Sequence, residues 1–445
     1  MRKIRAKRSA SHKVVDCAPP VRRATRGNAQ GVLTATKLRR QTVNENTTLV
    51  ERPSPQTPAV ASIELEERNP SAAGEAPAPE RFTVFTGLDV HKDSTAIAAA
   101  EAGREAPRFI GTVGADLSEL LKGLKSLGKP EAMLVVYEAG PCGYGLARVL
   151  RARGYACEVV APGKIARRPG ERIKTDRRDA LMLARLARSG DLVKVMVPDE
   201  RDEAMRDLSR AREDAVAARL KARQQLKALL LRQGQRYTGK SSWTEAHERY
   251  LAGLSFPHAA QHLAFTEYRQ AVKDGHERVE RLTESLRAQV EPWRLKPLVQ
   301  ALMSLRGIDF VAAVTLVAEI GDFARFAHPC EVMGFLGLVP SEYSTGQTRR
   351  QGEITKTGNS HARRVLVEAA WNYRFAARIS RGLQIRQEGQ SKAVRDIAWR
   401  AQLRLTRRHR CLSARKLHPN KICVAIAREL AGFIWDVAHQ VKLSA

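Results

Sequence analysis

A chain of 445 residues with 43% hydrophobic residues can bury the cores of two or three domains, and 5% aromatic content makes those cores mostly Leu, Val and Ala. The 76 Lys and Arg against 47 Asp and Glu leave a net charge of +29, which favours a polyanionic partner, nucleic acid ahead of an anionic membrane. No apolar run approaches the roughly 20 residues of a membrane span, and Cys17, Cys142, Cys157, Cys330, Cys411 and Cys423 form no CxxC pair, so neither a disulfide frame nor a zinc site is expected.

Residues 1–80 read as a disordered extension. Met1 to Gln41 is strongly basic, and Pro53 to Arg81 is rich in Pro, Ala and Glu, so neither can bury a periodic apolar face. Thr83 to Val90 reads as a strand buried on both faces, followed by strands at Ser94–Glu101 and Arg108–Val113 between Gly and Pro turns. A short amphipathic helix at Leu117–Leu127, a strand at Met133–Glu138, a helix at Tyr144–Arg153 and a strand at Cys157–Val160 complete a β-β-β-α-β-α-β order. That order predicts a mixed five-stranded sheet flanked by helices.

Two of these strands end in a carboxylate, Asp89 and Glu138, and ligands of open α/β sheets sit beyond the carboxyl ends of the strands. A basic segment with Lys164, Arg167, Arg168 and Lys174 then leads into a helix opening Asp176-Arg177-Arg178-Asp179. Asp176, Asp179, Leu183 and Leu186 share one face, which predicts that the acids lie on the buried side with Arg177 and Arg178 turned away. Thr175 as an N-cap, with both acids complementing the helix dipole, accounts for the pair without a ligand. Four converging acids would instead call for cations between them, such as two Mg²⁺ ions about 4 Å apart, with Mn²⁺ able to substitute. Asp93, beyond the first turn, reads as either a support behind the ligand acids or a solvated side chain.

Gly87-Leu88-Asp89-Val90-His91-Lys92, Tyr137-Glu138-Ala139-Gly140 and Lys174-Thr175-Asp176-Arg177-Arg178-Asp179-Ala180 together resemble the DEDD transposases of the IS110/IS1111 insertion-sequence family, a resemblance that extends over about residues 83–440. It implies an RNase H/RuvC-like α/β catalytic domain over residues 81–197, with Asp89, Glu138, Asp176 and Asp179 as the metal-binding tetrad. It also implies DNA as substrate, a structured noncoding guide RNA from the same element, a homo-oligomer (dimer or tetramer), and a cytoplasmic, nucleoid-associated prokaryotic setting with no membrane partner.

Residues 198–295 read as an antiparallel helical hairpin of coiled-coil type. Charged helices at Pro198–Gln233 and Phe265–Glu291 flank an irregular loop, Gly234–His262. Residues 296–445 read as a mainly α-helical C-terminal transposase domain. It begins with a helix-hairpin-helix-like segment at Leu298–Phe326 and ends in a basic helix, Ser391–Arg410, and an amphipathic one, Lys421–Val441.

Between them, Gly337 to Asn359 reads as a flexible, phosphate-friendly loop opening a helix. Arg349, Arg350, Lys356, Asn359, Arg363 and Arg364 are its candidate nucleic-acid contacts. The resemblance implies a hydroxyl nucleophile here, a Ser in a Tyr-x-Ser-Gly context, whereas this chain has Tyr343-Ser344-Thr345-Gly346. Alignment on Gly346 selects Thr345, and the freer approach of an unbranched side chain selects Ser344; position puts Thr345 first. Two rival readings are a RuvC- or RNase H-like nuclease that hydrolyses without a protein–DNA bond, and an inactive nucleic-acid-binding relic.

Overall fold

A computed structural model describes residues 82–166, 173–346 and 348–443. The disordered reading of residues 1–80, and the candidate contacts Arg167 and Arg168, lie outside the described residues.

The N-terminal part is a mixed sheet of six strands: β1 (Val84–Val90), β2 (Ser94–Glu101), β3 (Arg108–Gly114), β4 (Met133–Glu138), β5 (Ala156–Val160) and β6 (Lys194–Val195). The order is β3-β2-β1-β4-β5-β6. β1 runs parallel to β4 and β4 to β5, while the outer pairings are antiparallel. The continuous apolar runs predicted as doubly buried strands occupy the centre, as parallel strands covered on both faces require. The expected five strands become six because Lys194–Val195 pairs with the free edge of β5; two residues are too few to carry a period.

Helices α1 (Leu117–Lys125) and α2 (Gly145–Ala152) cover one face, in a core with Leu88, Val135, Tyr137 and Leu150. Helix α3 (Asp176–Ser189) covers the other, against Phe85, Ala98 and Val136. The buried stripe of α3 is Ala180, Leu183, Ala184 and Ala187. This corrects the predicted face by about one residue: Asp176 is exposed and Leu186 half-buried. The small residues have a reason. A Cβ on Gly87 of β1 would meet the Ala180 carbonyl oxygen at 2.3 Å, the Ala184 amide nitrogen at 2.5 Å and the Leu183 Cβ at 2.8 Å. The helix backbone therefore lies directly on a strand position that only glycine can fill.

Two long helices come next, α4 (Glu200–Arg232) and α6 (Ala259–Val290), with a short α5 (Glu245–Ala252) between them where the sequence predicts only an irregular loop. Thr244 caps α5, accepting the His247 N–H at 3.4 Å, and His247 is buried among Tyr237, Trp243 and Tyr250. The long pair is antiparallel: Trp293 Nε1 donates to Asp202 at 2.7 Å, Arg212 to Thr283 at 2.7 Å, and Gln261 to Gln233 at 3.1 Å. Phe265, Val272, Val279 and Leu286 of α6 are buried at intervals of seven.

The distal end of this pair has its own small core around Leu226, Leu251 and Phe265. Its base instead joins the C-terminal core, in which Met205, Leu286, Val290 and Trp293 pack with α7 (Lys296–Leu302), α8 (Phe310–Ile320), α9 (Pro329–Phe335), α10 (Ser360–Ala370), α12 (Lys392–Ala414) and α13 (Pro419–Ala438), while the short α11 (Arg381–Gln387) lies between α10 and α12 in the chain. A buried polar hub fixes the junction. The Glu319 carboxylate on α8 accepts two bonds from Arg210 of α4, at 2.7 and 2.9 Å, and one from Asn359 at 2.6 Å. Beside it the Ser209 and Thr315 hydroxyls meet at 3.1 Å. Among the described residues no helix is long and apolar enough to cross a membrane.

Two outcomes are expected. Gly87→Ala forces α3 away from β1 and costs about 1–3 kcal/mol, visible as a lowered urea midpoint for the α/β unit; an unchanged midpoint would refute the close approach. At the junction, burial works against the Glu319 charge, but the hydrogen bonds from Arg210 and Asn359 and the Arg206 charge outweigh it and hold the carboxyl below its ordinary value of 4.5. A depressed folded-state pKa stabilises the fold fully above the ordinary value and loses that contribution as pH falls through the folded one. Arg210→Ala should therefore cost about 3 kcal/mol at neutral pH, and much less once the pH is low enough to protonate Glu319. Calorimetry across that range checks both the size and the sign.

Candidate active site

Strands β1 and β4 are parallel and in register through Leu88 opposite Tyr137, so Asp89 and Glu138 come next at the same edge of the sheet. Helix α3 starts at that edge. Thr175 is its N-cap, with Oγ1 accepting the Arg178 N–H at 3.4 Å, and Asp176 and Asp179 fill its first turn. The capping role and a ligand role are therefore both open to this segment.

The sequence pattern alone gives His91 no role, yet it stands between the acids. Its Nε2 lies 3.4 Å from Asp89 Oδ2 and 3.5 Å from Asp176 Oδ1. Asp89, His91 and Asp176 form a group whose ligand atoms all lie within 4.8 Å of one another. A signal for it does exist: two residues apart at a strand end is the spacing of one face. The His91 amide is held by the turn into β2, donating to the Ser94 carbonyl at 2.9 Å. Glu138, half-buried at the end of β4, and Asp179 are not members of that group. Asp179 is 15% exposed against 60% for Asp176, and Lys174 Nζ stands 3.8 Å from it.

Burial pushes the Asp89 carboxyl up, and the charges of Asp176 and Asp179 push it further, against the opposing influence of His91. A carboxylate crowded by like charges at the edge of a sheet is the electrostatic setting that a divalent cation relieves. The donor set, carboxylate oxygens with one imidazole, suits a hard or borderline divalent ion. Next to it opens a cleft of about 800 Å³ lined by Val90, His91, Lys92, Leu120, Pro141 and Cys142, among others. Lys164 is exposed beyond β5.

The second chemical stretch is not the flexible loop predicted. It is a β-hairpin of β7 (Pro340–Glu342) and β8 (Gln351–Ile354). At its tip Thr345 and Thr348 exchange both backbone hydrogen bonds at 3.1 Å, closing a turn in which Gly346 takes φ +56°, the left-handed region that glycine occupies without strain. Ser344 Oγ donates to Glu342 Oε1 at 2.9 Å, and Arg349 and Gln351 also donate to that carboxylate, at 3.1 and 3.3 Å. Those three hydrogen bonds hold the Glu342 carboxyl below the usual carboxylate range. Among the described residues, the hydrogen bonds of the hairpin stay within residues 337–356, and none joins it to Asp89, Asp176 or Asp179.

The candidate basic contacts divide by what they already hold. Lys356 pairs with Glu353 at 3.0 Å, and Arg364 with Glu213 and Glu368, each at 3.0 Å. Asn359 caps α10 through the Ala362 N–H at 2.9 Å as well as serving Glu319. Arg363 donates to the Leu336 and Thr357 carbonyls at 2.9 and 3.4 Å, bracing the loop that carries the hairpin. Arg350 is exposed at the hairpin tip.

Comparison with known proteins places the chain among transposases. Residues 299–384 match the family described as "Transposase IS116/IS110/IS902 family", and residues 86–233 match the DEDD family of IS110, described as "Transposase". The chain is 47% identical over 361 residues to "Putative transposase y4qE" of Sinorhizobium fredii, covering 80% of this chain and 89% of that protein. It is 31% identical over 343 residues to the "Transposase for insertion sequence element IS1533" of Leptospira borgpetersenii, covering 75% and 97%. A shorter match, 31% over 71 residues, covers 16% of this chain and 20% of the "Transposase for insertion sequence element IS1111A" of Coxiella burnetii. With two relatives matched over 89% and 97% of their length and both halves of the chain recognised, this protein belongs to the IS110 family of insertion-sequence transposases.

Proposed function

We propose that this chain cuts and rejoins DNA at the ends of its insertion sequence, using divalent cations at the DEDD acids and a hydroxyl from the C-terminal hairpin. The observation that carries the reading is the Asp89, His91 and Asp176 group, with ligand atoms within 4.8 Å of one another, at the sheet edge where Glu138 also ends its strand. Asp89 and Asp176 would hold a cation directly with His91 beside them, and Glu138 and Asp179 would complete the tetrad around it. When bound, Mg²⁺, or Mn²⁺ in its place, would polarise the phosphoryl oxygens of the scissile phosphodiester. Lys174, beside the first turn of α3, would balance Asp179, and the exposed Lys164 would offer a further cation to the DNA backbone.

For the nucleophile, the geometry favours Ser344 over Thr345. The Ser344 hydroxyl is oriented by an ionised carboxylate, Glu342, itself fixed by Arg349, whereas the Thr345 backbone closes the hairpin. The hydroxyl would attack the phosphodiester, forming a serine–phosphate ester as the 3′ or 5′ oxygen of the strand leaves. Because the hairpin bonds only within its own surroundings, we assign the complete site to a homo-oligomer in which the hairpin of one copy meets the acids of another. The net charge of +29 fits DNA and RNA alike, and on the family resemblance we include in the proposal a structured noncoding RNA of the same element.

Metal and nucleophile are tested separately. Asp89→Asn should lower metal-dependent strand cleavage by about 1,000-fold and weaken Mn²⁺ binding read by electron paramagnetic resonance, with His91→Ala giving a smaller loss of Mn²⁺ affinity; cleavage that persists in Asp89→Asn and Asp176→Asn would overturn the metal assignment. A covalent protein–DNA adduct trapped with the parent should fall at least about 1,000-fold in Ser344→Ala and survive in Thr345→Ala. The reverse pattern moves the role to Thr345, and cleavage with no adduct in any variant selects a hydrolytic nuclease.

A further inference from the structure

We propose that a pocket beside the α7–α8 turn binds one phosphate of a DNA backbone, gripped by Arg306, Arg378 and Arg386. The inference rests on the proposed function, that the protein handles DNA, and assigns it a contact remote in sequence from both the acids and the hairpin. The cavity has a volume of about 400 Å³. Its walls come from the turn after α7 (Arg306, Gly307, Asp309), the segment between α10 and α11 (Asn372, Arg378, Ser380), and α11 itself (Leu383, Arg386).

The charge count is lopsided. Three guanidinium groups face one carboxylate, Asp309, which is already engaged as the N-cap of α8 through the Ala312 N–H at 2.9 Å. Among the described residues no carboxylate lies within 4.0 Å of any of the three guanidinium groups. Burial pushes the Arg306 guanidinium down, and the neighbouring Arg378 charge adds to it. Burial also pushes Arg386 down, partly offset by Asp309. Like charges brought together and half-desolvated are a cost to the fold that a bound anion removes.

Two of the three are pre-positioned. Arg306 Nη1 donates to the Ala376 carbonyl at 2.8 Å, and Arg386 Nη1 to the Ile308 carbonyl at 2.6 Å. Each guanidinium has five N–H donors in a planar fork that matches a phosphate, so one anchoring bond leaves donors to spare. The turn is held rigidly behind them. Gly307, at φ +85°, packs so closely that a Cβ would meet the Ala369 carbonyl oxygen at 2.6 Å and Asn372 Nδ2 at 2.8 Å. Arg378 and Ser380 are exposed at the rim, so the pocket opens to the surface. Its volume exceeds that of a lone phosphate, which suits an anion carried on a strand running past.

The test uses the intact protein in EDTA, where no cleavage occurs, and fluorescence anisotropy of two labelled DNA duplexes of unrelated sequence. Arg378→Ala removes the one guanidinium with no anchoring role. It should weaken binding to both duplexes alike and reduce the slope of log affinity against log salt by about 1, while Arg378→Lys keeps most of the slope and all three proteins melt together. An unchanged slope overturns the proposal, as does a loss confined to a single-stranded RNA probe of the same sequence. So does a parent protein stabilised by inorganic phosphate through Arg378 with no change in DNA binding, since that describes a site for a free anion. An Arg378-dependent slope in a protein that neither cleaves nor forms an adduct would sink the transposition chemistry and leave this site standing.

Discussion

The α/β half of this protein depends on how closely one helix can approach one strand. Gly87 lies under the backbone of α3, and Ala180 and Ala184 keep the helix side of the contact equally small. Helix and strand therefore meet at backbone distance, and the first turn of α3 is held at the carboxyl edge of the sheet. Asp176 reaches the end of β1 for that reason. The carboxylates come together because the apolar core below them permits no alternative spacing, and their mutual repulsion is a cost that this packing sustains.

The second half is organised around a buried carboxylate of a different kind. Glu319 is saturated by Arg210 and Asn359, so it acts as a rivet joining the base of the long helix pair to α8 and to the start of α10. Asn359 in turn caps the helix whose Arg363 braces the hairpin loop. The position of Ser344 thus traces back through a chain of satisfied polar contacts to the base of the helix pair. Two sets of cations in this half contrast. Arg349, Lys356 and Arg364 are paired with carboxylates, whereas Arg306, Arg378 and Arg386 stand together with little to balance them.

The elements that were legible in the sequence share a physical character. The strands Ser94–Glu101 and Met133–Glu138 begin and end where the apolar runs do, because strands buried on both faces write their whole length into the sequence. Helix α3 announced its cap and both acids. The elements that were not legible are short or exposed. β6 has two residues, and the hairpin strands of three and four residues are largely exposed, so neither shows a period. His91 was visible only as part of a motif, since its nearness to Asp176 crosses 85 positions of chain.

The sequence by itself determined the mixed α/β start, the long helices, the charge that favours a polyanion, and the order of acids that marks the family. Each of these is written in local period, composition or residue type. Only the tertiary structure decided which of those residues face one another. It turned Asp176 outward where the helical wheel had placed it inward, committed Asn359 and Arg363 to holding the fold, and gathered Arg306, Arg378 and Arg386 from separate segments into one pocket. The physical reason is that pattern fixes which face of an element is apolar, whereas the partner of a polar group is fixed by how closely backbones can pack, and that is set by residues far away in the chain such as Gly87 and Gly307.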